Sequence, residues 1–415
     1  MRVIKPKTSL ISVYAIYLLE YLGNSIVLIL FSQIIINNNY SFLPPQTDLD
    51  KRNFILGVLF FAFYFMRLLS APIWGSLSDV YDKSKILKIT TVSYTFFCFC
   101  TGFALYYDSL TFLILSRVGA GLVGVNMPCA MAIIPLLSSE KNIKRNIGLV
   151  TCVEGFSMIA APLISMYLTI RPIFDLRFPF FLIAFLFVVV IITFHASVKS
   201  DPKKSLEKVP LSRMLLRLCN DLTIPLKNNT FLKFFITIFL FLNGWEMYNI
   251  FIGSFVIEKF HFTLKLESLA FLDESLAIIV GSLLTSYIFF RYLPRKALIC
   301  ISCIATSVFM LLCSIVNNVT ISWYLIGFLV LASTVAQAAF CGYLAELTPK
   351  EIHGKVFGSL FIVYSLGFCF AALVSPGIAN LDINAPFYYG SILTFLSGLY
   401  YFFKGDSSLV KQKNT

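Results

Sequence analysis

The chain has 415 residues, of which 58% are apolar and only 13% charged. Soluble domains carry about a quarter charged residues, so this chain lacks the side chains to cover a water-facing surface. Its net charge of +12 does not signal nucleic acid, because the basic residues sit in short loops and form no Arg/Lys face interleaved with stacking aromatics.

Twelve apolar runs follow one another, at 9–36, 53–75, 86–107, 110–134, 147–169, 178–197, 232–257, 268–290, 295–316, 321–345, 354–379 and 386–403. About 20 apolar residues cross the hydrocarbon layer as a helix, so each run is predicted to span a bilayer. The first run is too long for a signal-peptide core and shows no small-residue cleavage site, so it is expected to be retained. Tyr107, Asp108 and Ser109 form the turn between the third and fourth spans. Asn317 and Asn318 break a stretch from Ala297 to Ala345 that carries no charge and is too long for one crossing. The basic segment 196–230 separates two sets of six spans. The expected organisation is a first half at 1–195, a linker at 196–230, a second half at 231–403 and a tail at 404–415. Leu137 to Gly148, before the fifth span, and Leu347 to Gly358, before the eleventh, are weakly similar at one spacing, which suggests two parallel repeats. The fold class is therefore all-α, a polytopic membrane protein of twelve transmembrane helices in two six-helix halves.

With the N-terminus inside, 25 of the 33 Lys and Arg fall in cytoplasmic segments and 6 in outside loops. That bias predicts both termini in the cytoplasm. Most of the ten cysteines lie within apolar runs and none in an outside loop, so they are expected as free thiols.

Charge inside a span is costly, about 2.5–3.5 kcal/mol at mid-membrane on insertion scales, and such groups face the bundle interior. The candidates are Glu20, Arg67, Arg117, Glu154, Glu246 and the pair Asp273/Glu274. Glu20 and Glu246 fall at similar depth in the first and seventh spans, the equivalent spans of the two halves. A carboxyl in a low-dielectric site can bind and release a proton near neutral pH, so proton coupling is expected at Glu20, Glu246 and Glu154, with the permanent cation Arg117 taking part by pairing with a carboxylate or with backbone carbonyls. For each, a purely structural ion pair is the alternative. Asn24 shares the face of Glu20. It is expected to line a substrate cavity with Asn126, Asn243, Trp245, Tyr248, Asn249 and Gln337, although Gln33, Asn126 and Gln337 could equally bond helix to helix. Arg67 is expected to snorkel toward the cytoplasm, and Asp273 and Glu274 to sit at a solvated outer mouth. No metal-ligand spacing, nucleophile motif or phosphate loop is present, so no metal, no cofactor and no enzymatic activity are expected.

Between the second and third spans, Gly75, Leu77, Asp79, Lys83 and Leu87 match the G-x-L-x-D-R-x-G-R-K-x-x-L signature of the major facilitator superfamily, with Val80 and Asp82 departing from it. Leu113, Arg117 and Gly121 look like that family's L-x-x-x-R-x-x-x-G motif. Ala161 and Pro162 are similar to the Gly-Pro motif of its drug and tetracycline exporters, with Ala in place of Gly. Leu19, Glu20, Gly23 and Asn24 resemble the acid-bearing first span of twelve-span drug/proton antiporters. The resemblance implies a cytoplasmic gating latch at Gly75, Asp79 and Lys83, proton coupling linked to Arg117, and helix packing at Gly121 and Pro162. It implies a proton-coupled carrier of a small organic solute working by alternating access, with drug or metabolite efflux by antiport foremost. Uptake by proton symport of an amino acid, siderophore or osmolyte is the alternative, and a non-transporting sensor on the same scaffold is a further one. The expected partners are a small-molecule substrate, protons and the lipid bilayer. The expected state is a monomer, and the expected location a bacterial inner membrane.

Overall fold

The computed structural model describes residues 2–3, 6–124, 133–134, 137–138, 143–170, 175–199, 229–347 and 353–405. The predicted spans correspond in order to helices. They are α1 (Pro6–Ile36), α2 (Leu49–Val80), α3 (Lys83–Tyr106), α4 (Leu110–Val123), α5 (Ile143–Ile170) and α6 (Phe178–Ser197). Then come α7 (Asn229–Phe260), α8 (Leu264–Leu284), α9 (Arg295–Ile315), α10 (Val319–Leu347), α11 (His353–Ala379) and α12 (Ala385–Lys404). After Leu284, α8 runs on through a π-helical turn at Thr285–Phe289 and a last turn at Phe290–Tyr292. Two-residue strands Arg2–Val3 and Val198–Lys199 form a short antiparallel ladder.

Among the described residues, nine helices are long and apolar enough to cross a membrane. Leu110–Val123 and Gly155–Tyr167 are shorter apolar helices. The remaining predicted crossing, α12, is long enough but is diluted by Tyr388, Tyr389, Tyr400 and Tyr401. The chain is a multi-pass integral membrane protein.

Local chemistry sets the helix ends. Asp82 stands where the family signature has its second Gly, and it is the N-cap of α3, its side chain accepting from the Ser84 N–H at 3.0 Å. The turn at Tyr107–Ser109 forms as expected: Asp108 has φ 49°, a left-handed conformation that Asp tolerates, and Ser109 caps α4. The Asn317/Asn318 turn also forms, with Asn318 Oδ1 accepting from the Ile321 N–H at 3.1 Å. Inside the helices, Ser and Thr hydroxyls return to carbonyls one turn back, as Thr91 does to Leu87 at 2.6 Å and Ser302 to Leu298 at 2.7 Å. These bonds let polar side chains sit in apolar helices without an unsatisfied donor. The eight described cysteines are all free.

The chain divides into two compact units. The first comprises Met1–Thr47, Val58–Leu218 and Leu264–Leu269; the second comprises Asp48–Gly57, Cys219–Thr263 and Ala270–Thr415. In the first, α1 packs on α5 and α6, and α3 on α4 and α6. In the second, α7 packs on α11 and α12, and α9 on α10 and α12. Glycines permit the tightest approaches. A Cβ on Gly121 would lie 2.3 Å from the Phe63 carbonyl oxygen, and one on Gly244 would lie 2.5 Å from that of Gly390. Small residues at such crossings let backbones meet where no hydrophobic force drives helices together.

Candidate functional site

Each unit carries its own cluster of buried polar groups. In the first, Glu20 on α1 is fully buried, and its Oε1 lies 3.9 Å from Nη2 of Arg67 on α2. Arg67 thus faces a buried carboxylate, in place of the snorkelling geometry expected from its sequence position. Arg117 on α4 is also buried. Its guanidinium lies over the Phe63 ring at 4.4 Å and the Phe31 ring at 5.5 Å, and its Nε has no hydrogen-bond partner among the described residues. Cation–π contact with two rings partly replaces lost hydration. Tyr94 on α3 donates to Asn24 Oδ1 at 3.3 Å and lies within electrostatic reach of Glu20, Arg67 and Arg117. Thus α1, α2, α3 and α4 together gather one carboxylate and two permanent cations.

The α2–α4 crossing positions Arg117. Ser70 donates to the Gly121 carbonyl at 3.2 Å, and Trp74 Nε1 donates to that of Leu122 at 2.7 Å. Gly121 lies at this close approach, where a Cβ would meet the Phe63 carbonyl oxygen at 2.3 Å. Pro162 lies inside α5, where it removes one backbone donor; nearby, Ser157 donates to the Leu18 carbonyl of α1 at 3.1 Å.

In the second unit, α7 carries Asn243, Trp245, Glu246 and Tyr248, all buried, and the half-buried Asn249. Asn249 Nδ2 donates to Glu246 Oε2 at 3.0 Å. Asn243 Nδ2 returns to the Phe239 carbonyl at 2.8 Å, while its Oδ1 is buried with no partner among the described residues. Trp245 stacks on Tyr248 with ring centroids 5.0 Å apart. At 100° per residue, Asn243, Glu246 and Asn249 share one side of α7 and Tyr248 points elsewhere.

The structure corrects the expectation for Glu274. Asp273 is exposed and accepts from the Trp323 indole N–H, but Glu274 is buried and accepts from the Tyr248 hydroxyl at 2.6 Å. One helical step turns neighbouring carboxylates to different sides. Two further acids escaped sequence reasoning. Glu267, in the first turn of α8, is fully buried; it accepts from Ser32 at 2.7 Å and from Gln33 Nε2. Glu258, near the end of α7, accepts from Asn53 Nδ2 at 3.1 Å. A periodicity was available for α8. Glu267, Ala270 and Glu274 fall at i, i+3 and i+7 and are buried, whereas Leu276, Val280 and Leu283 recur on the exposed side.

Gln337 is half-buried on α10, and Lys83 is half-buried at the start of α3. Gly75 and Asp79 lie on the last turns of α2 and Glu154 on α5, with the side chains of Asp79 and Glu154 outside the described set. Asn126 lies outside the described residues.

Known structures share this architecture. The human organic anion transporter MFSD10 (TETRAN) aligns over 95% of this chain and 99% of its own, at 14% identity and TM-score 0.69. A D-xylose-proton symporter aligns over 94% and 96%, at 12% identity and TM-score 0.74. The POT family transporter PepTSo aligns over 98% and 99%, at 11% identity and TM-score 0.75. At such identities the likeness speaks for the fold. No curated protein matches the sequence significantly. The family model described as Major Facilitator Superfamily matches residues 13–372, and again 275–415. Because that match takes in both buried clusters and nearly every helix, the chain belongs to the Major Facilitator Superfamily.

Proposed function

We propose that this secondary transporter is a proton-driven carrier that exports a small organic solute by antiport, through alternating access. The observation that carries the reading is Glu20: a fully buried carboxylate facing Arg67 at 3.9 Å, with Arg117 in the same cluster. Protonating Glu20 removes the negative charge that faces Arg67, so the proton state of one side chain changes the charge of the whole cluster. Substrate arrival or departure can then be exchanged against that proton. Asn24 and the α7 residues Asn243, Trp245, Glu246 and Asn249 supply amide, carboxylate and ring surfaces suited to an amphipathic or cationic solute. The working halves are 1–195 and 231–403, joined by a cytoplasmic linker at 196–230 and followed by a tail at 404–415. The carrier acts as a monomer in a bacterial inner membrane with both termini inside.

A second reading is proton symport. It draws on Ala161 standing where the exporter motif has Gly, and on a similar fold serving a D-xylose-proton symporter. Proteoliposomes with an imposed pH gradient separate the two. Antiport moves solute against the proton flow, and symport moves it along the flow. If no solute from a panel of lipophilic cations, organic anions, antibiotics, amino acids and sugars moves in response to the gradient, proton coupling is wrong.

A further inference from the structure

We propose that Glu274, held by Tyr248, is a second proton-carrying site, separate from Glu20 and confined to the second unit; this deepens the reading of the chain as a proton-driven carrier. Tyr248 is fully buried between the stacked ring of Trp245 and the edge-on ring of Phe387, whose centroid is 5.8 Å away. That packing fixes the phenol so that its hydroxyl donates to Glu274 Oε1 at 2.6 Å. Among the described residues, the groups around the carboxylate offer no cation pair. On α8 its neighbour Asp273 is another acid, turned outward onto Trp323 of α10. On α9 the nearby titratable group is Cys313. On α7 the cation Lys259 has Cys313 as a common electrostatic neighbour with Glu274, but its Nζ donates to the Ser314 carbonyl at 2.8 Å and to Asn384 Oδ1 at 2.9 Å. Asp382 lies within electrostatic reach of Lys259. Among the described residues, no Lys or Arg pairs with Glu274.

A buried carboxylate without a cation is poorly tolerated in its charged form, and a proton neutralises it. The Tyr248 hydroxyl can donate to either form: to the carboxylate oxygen when Glu274 is ionised, and to the carbonyl oxygen when it is protonated. The proton can therefore arrive and leave, as COO⁻ plus H⁺ in exchange for COOH, without dismantling the packing. Nothing is oxidised or reduced and no other bond changes. Glu20 differs, because Arg67 already faces it.

The test is a pH titration of the purified full-length carrier by infrared difference spectroscopy, on wild type, Glu274→Gln, Tyr248→Phe and Glu20→Gln. The expected result is a protonated-carboxyl band that fades as pH rises, is lost in Glu274→Gln, shifts in frequency in Tyr248→Phe and survives in Glu20→Gln. Proton release per transported solute should fall by one proton in Glu274→Gln. A titrating band that Glu274→Gln leaves unchanged overturns the proposal. So does a Glu274 band that persists at every pH where the protein stays folded, which would make the group a permanent hydrogen-bond partner. Monodisperse elution of each variant establishes that it is folded. Loss of coupling in Glu20→Gln bears on the carrier reading and leaves the Glu274 band to be judged by itself.

Discussion

The two units meet their mid-span carboxylates differently. The first sets the mid-span carboxylate of Glu20 against Arg67, with Arg117 in the same cluster. The second buries Glu246 and Glu274, meets them with an amide and a phenol, and sends Lys259 to cap the end of α9. The difference teaches which substitutions matter. Removing a matched charge strands its partner, whereas neutralising an unmatched carboxylate removes a burden.

Glu20→Leu is therefore expected to have the largest effect. It leaves the half-buried Arg67 guanidinium without its carboxylate and should destabilise the folded carrier by about 3 kcal/mol, read as a lower melting temperature in detergent. A melting point equal to wild type would break the contrast between the units. Next comes backbone packing. Gly244→Val forces a side chain into the Gly390 carbonyl and the Thr394 side chain, and overpacking of this kind is expected to cost about 1–3 kcal/mol or more. Glu246→Gln should leave the melting temperature unchanged or raise it, because the Gln oxygen can still accept from Asn249 and no charge is buried. A large loss there would reveal a cation matched to Glu246 and erase the asymmetry. The smallest effect is expected from Gly155→Ala. A Cβ at that position meets nothing within 4 Å, so α5 should gain roughly 0.8–1 kcal/mol from propensity alone.

Much of the fold was legible in the sequence because apolar length and charge deficit act locally. The turns at Tyr107–Ser109 and Asn317–Asn318 were readable from residue type, and their helices end there. The burial of Glu20, Arg117 and Glu246 was readable too, since a charge in an apolar run has few places to go. Pairing was not. That Arg67 turns to Glu20 depends on how α2 packs against α1. That Glu274 is buried while Asp273 is exposed depends on the rotational phase of α8. The Glu267, Ala270, Glu274 periodicity held that phase, but the two adjacent acids read as one polar mouth. Asp82 was a departure from the family signature on paper and a helix cap in three dimensions.

The central claim is that Glu20 exchanges a proton against substrate. The most direct test adds lipophilic cations, organic anions, antibiotics and amino acids to weakly buffered, detergent-purified protein and records proton release, in wild type and in Glu20→Gln. The account predicts release on binding of at least one solute in wild type and its loss in Glu20→Gln. Binding that persists with identical proton release in the variant would contradict it.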